Sequence, residues 1–340
     1  MVHTVGQEPT DDLIVLIPVY DDWEAVGLLL ERLDAALRPV PQRTHVVLID
    51  DGSEVSAHAL PLPKLHSIER VSVLALRRNL GHQRALAIGL SYVEAHLPCR
   101  ALVVMDGDGE DAPADVPRLL ERLQKERCRA VVFAERSKRS ESLAFRTFYR
   151  LYCVLHWLLT GLRVRVGNFS ALPPAMLSRL VVVSDLWNHY PASVYKARLP
   201  VSLLPTRRAA RLAGQSRMNF VGLVTHGLSA ISVFGDRVGV RLLVATGGGI
   251  ALVIVGLVVL LGLRATGFIP AGLIVPGWAA TAAGVLVSLL MHMLMLACLF
   301  TFTVLGGRGG SSFLPARDYH FFVAELREVY AADERVRLCG

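Results

Sequence analysis

The sequence predicts an α/β protein: a mostly parallel sheet covered by helices, followed by a two-helix hairpin able to cross a membrane. Two observations carry this. The first 135 residues alternate β-branched apolar runs with amphipathic stretches, and from residue 242 onward two long segments lack charge. A third agrees, a mean hydropathy of +0.44, high for a wholly soluble chain of 340 residues.

Strands are expected at Leu13–Pro18, His45–Ile49, Val71–Leu76, Ala101–Met105 and Ala130–Ala134. Helices are expected at Asp22–Leu37, His82–Ala95 and Ala114–Arg127, the last announced by Pro113 near its start. Leu242 to Leu263 gives 22 uncharged residues between Arg241 and Arg264, enough to span a hydrocarbon core of about 30 Å. A second charge-free run covers Ala265–Gly307. Pro270 and Pro276 set the outer turn early in it, leaving a second helix at about 277–305. Arg237, Arg241, Arg308 and Arg317 flank the hairpin on one side against Arg264 on the other, which predicts both ends in the cytoplasm. A core hairpin of a soluble protein is the rival reading; the length and the GGG at 247–249 weigh against it. Aromatic and apolar residues at helical spacing in 145–162 and 220–234 predict two helices lying at the membrane interface beside basic residues.

Charge is unevenly spread. Residues 1–134 carry 14 basic and 20 acidic side chains, net −6; 135–217 carry 14 and 3, net +11; 218–340 carry 8 and 6, net +2. The middle block suits phosphates and an anionic leaflet, although composition alone equally allows a solvated basic face. The polar, acidic amino terminus does not read as a cleaved signal, so the first domain is expected in the cytoplasm. Cys99, Cys128, Cys153, Cys298 and Cys339 form no CxxC pair, and the eleven histidines form no HxH or HxxxH pair. That excludes a disulfide framework and a histidine or thiolate metal centre, leaving carboxylates to hold any metal.

Three predicted strands end in acidic segments: IPVYDD (17–22), IDDGS (49–53) and MDGDGED (105–111). Ligands bind beyond the carboxyl ends of strands in such sheets. Any one segment is ordinary turn chemistry. Three on one rim, the last with Asp-x-Asp spacing, point to a divalent cation between carboxylates and a diphosphate. A calcium loop would need glycine where Asp111 stands, and a dinucleotide fold would need GxGxxG after the first strand, where Pro18-Val19-Tyr20 stands.

Taken in order, these motifs resemble the family 2 glycosyltransferases of the GT-A fold, among them dolichyl-phosphate mannose synthase and bacterial polyprenyl-phosphate glycosyltransferases. IPVYDDWEAV is similar to that family's P-x-Y-N-E opening, VLIDDGS to its D-D-G-S, LRRNLGHQRALAIGL to its R-N-x-G segment, and VVMDGDGEDAPADV to its D-A-D-x-Q-D-P-P-E stretch. Farther on, RSKR (136–139), FYRLY (148–152) and GQSRM (214–218) resemble its R-x-x-R, its interfacial helix and its G-x-S-K-Y. The resemblance implies a nucleotide-sugar donor, UDP- or GDP-linked, a polyprenyl phosphate acceptor, Mg2+ or Mn2+, inverting transfer at the inner face of a membrane, no nucleic acid, and a hairpin able to pair with copies of itself.

Carried over by position, it implies nucleotide binding by Pro18, Tyr20, Asp22, Asp51, Gln83 and Asp106, and a metal held by Asp106, Asp108 and Glu110. Asp108, Arg136 and Arg139 become the catalytic set, with Asn168, Arg211, Ser216 and Arg217 at the acceptor phosphate. Four positions depart from the family: Asp21 replaces the usual Asn, Glu110 the usual Gln, and Gly167-Asn168-Phe169-Ser170 stands where relatives have G-D-F-R, losing a carboxylate and an arginine. Leu186–Tyr190 reads either as an aromatic wall of the acceptor pocket or as a structural turn. The domain plan is 1–235 catalytic, 236–307 hairpin and 308–340 cytoplasmic tail. A processive polysaccharide synthase is the runner-up, but it would carry Q-x-x-R-W and more membrane helices; a non-catalytic scaffold or sugar-nucleotide sensor is the third reading.

Overall fold

A computed structural model describes residues 12–57, 60–136, 143–162, 166–214, 220–266, 278–309 and 313–332. Eight strands form one sheet: β1 (Leu13–Val19), β2 (Thr44–Asp50), β3 (Ile68–Leu76), β4 (Ala101–Val104), β5 (Val131–Arg136), β6 (Ser170–Leu172), β7 (Val201–Thr206) and β8 (Val323–Ala331). Their order is β7-β5-β6-β4-β1-β2-β3-β8, with β6 and β8 antiparallel to their neighbours and the other pairings parallel. The helices are α1 (Trp23–Leu37), α2 (His82–His96), α3 (Val116–Lys125), α4 (Leu143–Thr160), α5 (Pro174–Leu180), α6 (Tyr190–Lys196), α7 (Phe220–Ser232), α8 (Gly235–Ala265) and α9 (Trp278–Gly309).

The strands alternate their side chains between two cores. Leu13, Val15 and Ile17 of β1 face α1 and α3 through Leu29, Leu33, Leu119 and Leu123. Ile14 and Leu16 face α2, α5 and α6 through Leu86, Leu90, Leu177 and Val194. Being buried on both faces is what makes these strands read as unbroken apolar runs. After β1 the chain lays down β2 and β3 on one side and then returns to place β4 on the other. The switch point therefore lies between the carboxyl ends of β1 and β4, where IPVYDD and MDGDGED begin.

The five expected strands and three expected helices are present to within a few residues. The chain divides into two compact units, Met1–Arg146 with Val164–Val233 and Ser312–Gly340, and Thr147–Arg163 with Phe234–Ser311. This differs from the sequence-based domain plan in two places. The stretch expected as a tail contains β8, which pairs antiparallel with β3. Its alternating VAELREVYA satisfies one face of an edge strand, and Tyr330 donates its hydroxyl to the Leu65 carbonyl at 3.0 Å. Most of α4 groups with the hairpin instead of the sheet. There Arg241 donates to the last carbonyls of α4, Trp157 O at 3.2 Å and Leu158 O at 2.8 Å.

In the second unit α8 and α9 lie against each other. The Met293 side chain of α9 lies over Gly249 of α8, its Cε 2.3 Å from where a Cβ would stand. Both helices are long and apolar enough to cross a membrane. Leu252 is 73% and Met295 67% exposed. Within this chain such surfaces are not covered as the core of a water-soluble protein would be. On α4, Val154, Trp157 and Leu158 are likewise exposed, as is Leu228 on α7. The outer turn expected at Pro270 and Pro276 lies outside the described residues.

Candidate active site

The rim is built by turns that lock one strand end to the next. Asp51 donates its N–H to the carbonyl of Val19 at 2.9 Å, joining the ends of β1 and β2. Asp21 adopts a left-handed backbone, φ 53°, a conformation aspartate tolerates better than most residues. Its N–H donates to Ser53 Oγ at 3.0 Å and its Oδ1 accepts from Val55 N at 3.0 Å. Gly52, at φ +69°, completes the DDGS turn. A Cβ there would stand 2.5 Å from Asn79 N, so only glycine lets the 78–81 loop close on the second strand end.

Pro18 is buried within β1, and Tyr20 and Asp22 stand half-buried just beyond it. Asp51 is 3% exposed and accepts N–H groups from Leu80 at 2.7 Å and Gly81 at 2.9 Å. Burial raises its pKa, against the opposing pull of those two N–H groups. Its carboxylate thus serves the loop that opens α2. The nucleotide contact expected of Asp51 would be made by a carboxylate already fixed by that loop.

Past β4, Asp106 donates its N–H to Asp111 Oδ2 and Glu110 to Asp108 Oδ1, each at 3.0 Å, which folds MDGDGED into a tight loop. Asp106 Oδ1 accepts from Asn168 Nδ2 at 3.1 Å and lies 3.3 Å from His82 Nε2. Burial lowers the His82 pKa, but the carboxylates of Asp106, Asp51 and Asp108 outweigh it and the net direction is upward. Asn168 and Gln83 are 8% and 9% exposed and hydrogen-bonded to each other at 3.1 Å. Both are framework groups behind Asp106. Gln83, expected at the nucleotide, and Asn168, expected at the acceptor phosphate, are joined in this one network.

The segment after β7 crosses the loop as a strap. Ala209 N–H donates to Glu110 O at 2.9 Å and Leu212 N–H to Asp108 O at 3.0 Å. Arg208 pairs with Glu110. Arg211 bridges two strand ends, Nη2 to Asp22 Oδ2 at 2.7 Å and Nη1 to Asp108 Oδ2 at 3.3 Å. Arg211, expected at the acceptor phosphate, here has its guanidinium on carboxylates.

Among the described residues no three His, Cys, Asp or Glu side chains converge as a metal-binding group. Of the expected metal ligands, Asp106 is turned to Asn168 and His82, Glu110 to Arg208 and Asp108 to Arg211. Asp22 and Asp108 meet different nitrogens of the one Arg211 guanidinium, and their hard oxygen donors are of the kind that suits a divalent ion.

Arg136 ends β5 on the same rim, since β5 runs parallel to β7 and in the direction of β4. Arg139, Ser216 and Arg217 lie outside the described residues. Leu186–Tyr190 resolves to the structural turn: Tyr190 is fully buried, and His189, 5% exposed, caps α6 by accepting from Ala192 N at 3.2 Å. Sequence reading missed His82, Arg208 and Tyr190. His82 had a signal, its place directly after the N-L-G turn at the start of α2.

Residues 14–171 match the family model described as Glycosyl transferase family 2. Over 247 residues the chain is 27% identical to the undecaprenyl-phosphate 4-deoxy-4-formamido-L-arabinose transferase of Klebsiella pneumoniae subsp. pneumoniae, covering 67% of this chain and 72% of that protein. The protein of the same name from Photorhabdus laumondii subsp. laumondii is 31% identical over 152 residues, 43% of this chain and 44% of that one. Among solved structures, glucosyl-3-phosphoglycerate synthase from Mycobacterium tuberculosis, in complex with Mn2+, uridine-diphosphate-glucose and phosphoglyceric acid, aligns with a TM-score of 0.48. It is 15% identical, over 67% of this chain and 80% of that one. Residues 14–171, which carry the acidic strand ends gathered at the switch point of a mostly parallel sheet, are thus similar to family 2 glycosyl transferases.

Proposed function

We propose that this chain is a glycosyltransferase that moves a sugar from a UDP- or GDP-linked donor onto the phosphate of a polyprenyl phosphate, at the cytoplasmic face of a membrane that its hairpin crosses. The observation that carries the reading is the convergence of Asp22 and Asp108, from the ends of β1 and β4, on a single cationic group. The names of the relatives support the acceptor. Two exposed apolar helices support the membrane, and the flanking arginines support the orientation.

Asp108, with Asp22 beside it, would hold Mg2+ or Mn2+, which when bound screens charge on the leaving nucleoside diphosphate. Tyr20 and Asp106 border the nucleotide. Arg136 and Arg139 are assigned to phosphate oxygens, where planar guanidinium groups bind in pairs, and Ser216 and Arg217 to the lipid phosphate. The attacking group is a phosphate oxygen of the lipid, displacing the diphosphate in line and inverting the anomeric carbon. A phosphate monoester carries about −1.5 to −2 charge at neutral pH, so it needs little help from a base. The protein's share is alignment and charge stabilisation.

The test is to incubate the purified full chain with undecaprenyl phosphate, Mn2+ and a panel of UDP- and GDP-sugars. One donor is expected to give a chloroform-soluble glycolipid. Sugar appearing only in long water-soluble polymer would favour a processive synthase, and no transfer from any donor would remove the acceptor assignment.

A further inference from the structure

We propose that Tyr190, Gln83, Asn168 and Ser170 form a positioning relay that orients Asp106 and His82 for donor binding, and that residue 168 has to be an amide for the relay to work. This rests on the donor-site half of the reading above and is independent of the acceptor.

The argument is one of donors and acceptors, and it starts from a group with no freedom. The main-chain N–H of Tyr190 can only donate, and its partner at 2.7 Å is Gln83 Oε1. That fixes the Gln83 amide, so Nε2 is the end that reaches Asn168, 3.1 Å away. The Asn168 atom receiving it must be Oδ1, which turns Nδ2 the other way. Nδ2 therefore donates to Asp106 Oδ1 at 3.1 Å, and His82 Nε2 lies beside the same pair, 2.8 Å from Nδ2 and 3.3 Å from Asp106 Oδ1. Every orientation along the chain follows from the one before it.

Tyr190 also sets the backbone of residue 168. Ser170 Oγ donates to the Asn168 carbonyl at 2.8 Å and so accepts from the Tyr190 hydroxyl at 2.7 Å. Two of the departures from the family pattern, Asn168 and Ser170, therefore converge on one fully buried tyrosine. An aspartate at 168 would present a second carboxylate where Asp106 now receives a proton donor. These two departures read as one substituted network, which matches amide to carboxylate, and not as lost catalytic groups.

The experiment measures UDP and GDP binding to the full chain by calorimetry, which needs no lipid acceptor. Gln83→Met keeps length and burial but cuts the relay; it and Asn168→Ala are each expected to weaken binding of whichever nucleotide the wild type takes by about 10- to 100-fold. The double variant should lose no more than the worse single one, because a relay already cut cannot be cut again. Asn168→Asp should bind no better than Asn168→Ala. Tyr190→Phe, which keeps the N–H, should lose only a few-fold, and its unfolding midpoint, with those of the other variants, separates misfolding from lost positioning. Losses that multiply in the double variant, or wild-type binding by Asn168→Asp, would overturn the relay. A wild type that binds neither nucleotide would remove the donor site and the relay together, whereas nucleotide binding without lipid glycosylation would leave the relay standing and fault only the acceptor.

Discussion

Asp108→Asn is expected to lower kcat/KM for sugar transfer about 1000-fold while the unfolding midpoint stays within a few degrees of wild type. The substitution keeps size and an acceptor oxygen for the Glu110 N–H, so the loop's internal hydrogen bond at 3.0 Å survives. What it removes is the charge that, with Asp22, draws a cation to the switch point. A factor of 1000 corresponds to about 4 kcal/mol of transition-state stabilisation, the scale of one preorganised electrostatic group in a water-poor site. Steady-state kinetics across donor and Mn2+ concentrations checks this; activity within ten-fold of wild type would show that the charge of Asp108 is dispensable.

The second large effect is on stability. Asp34, on α1 and 4% exposed, accepts three main-chain N–H groups on one oxygen: His66 at 2.8 Å, Ser67 at 2.7 Å and Ile68 at 2.9 Å. These open β3, so a single carboxylate ties a helix to the start of a central strand. Asp34→Ala strands the three donors. Each costs about 1–3 kcal/mol where water cannot replace the partner, and His66 and Ser67 are open enough to be partly rehydrated, so the total expected is about 3 kcal/mol. For a chain of this size that lowers the midpoint by about 4 °C. Thermal unfolding in detergent measures it, and Asp34→Asn, which keeps one acceptor oxygen, should recover part of the loss. An unchanged midpoint in the alanine variant would mean the three N–H groups find other partners.

The sheet's first half was legible because its strands are buried on both faces and announce themselves as apolar runs ending in turn residues. β6 was not, since Ser170–Leu172 is three residues long and carries no period. β8 pairs with a strand some 250 residues earlier, a partnership local sequence cannot express. The carboxylates were found as a rim but not as pairs. Periodicity identifies which residues stand at strand ends, whereas the partner of each depends on where the strap after β7 crosses them. The excess of positive charge in 135–217 was visible, yet the part of it on Arg208 and Arg211 is spent inside the chain, on Glu110, Asp22 and Asp108. Asn168 looked like a lesion when compared position by position with the family. Only the spatial neighbours Gln83 and Tyr190 show what compensates it.

The central claim is that Asp22 and Asp108 grip the donor's diphosphate through a cation that takes over from Arg211. Calorimetric titration of UDP and GDP into the wild-type chain, with Mn2+ and then with chelator, addresses it most directly. The account predicts that one nucleotide binds with Mn2+ present, and that chelation or Asp108→Asn removes the binding. Equal affinity in chelator and in the Asp108→Asn chain would contradict it and leave the arginines of the strap as the groups that meet the diphosphate.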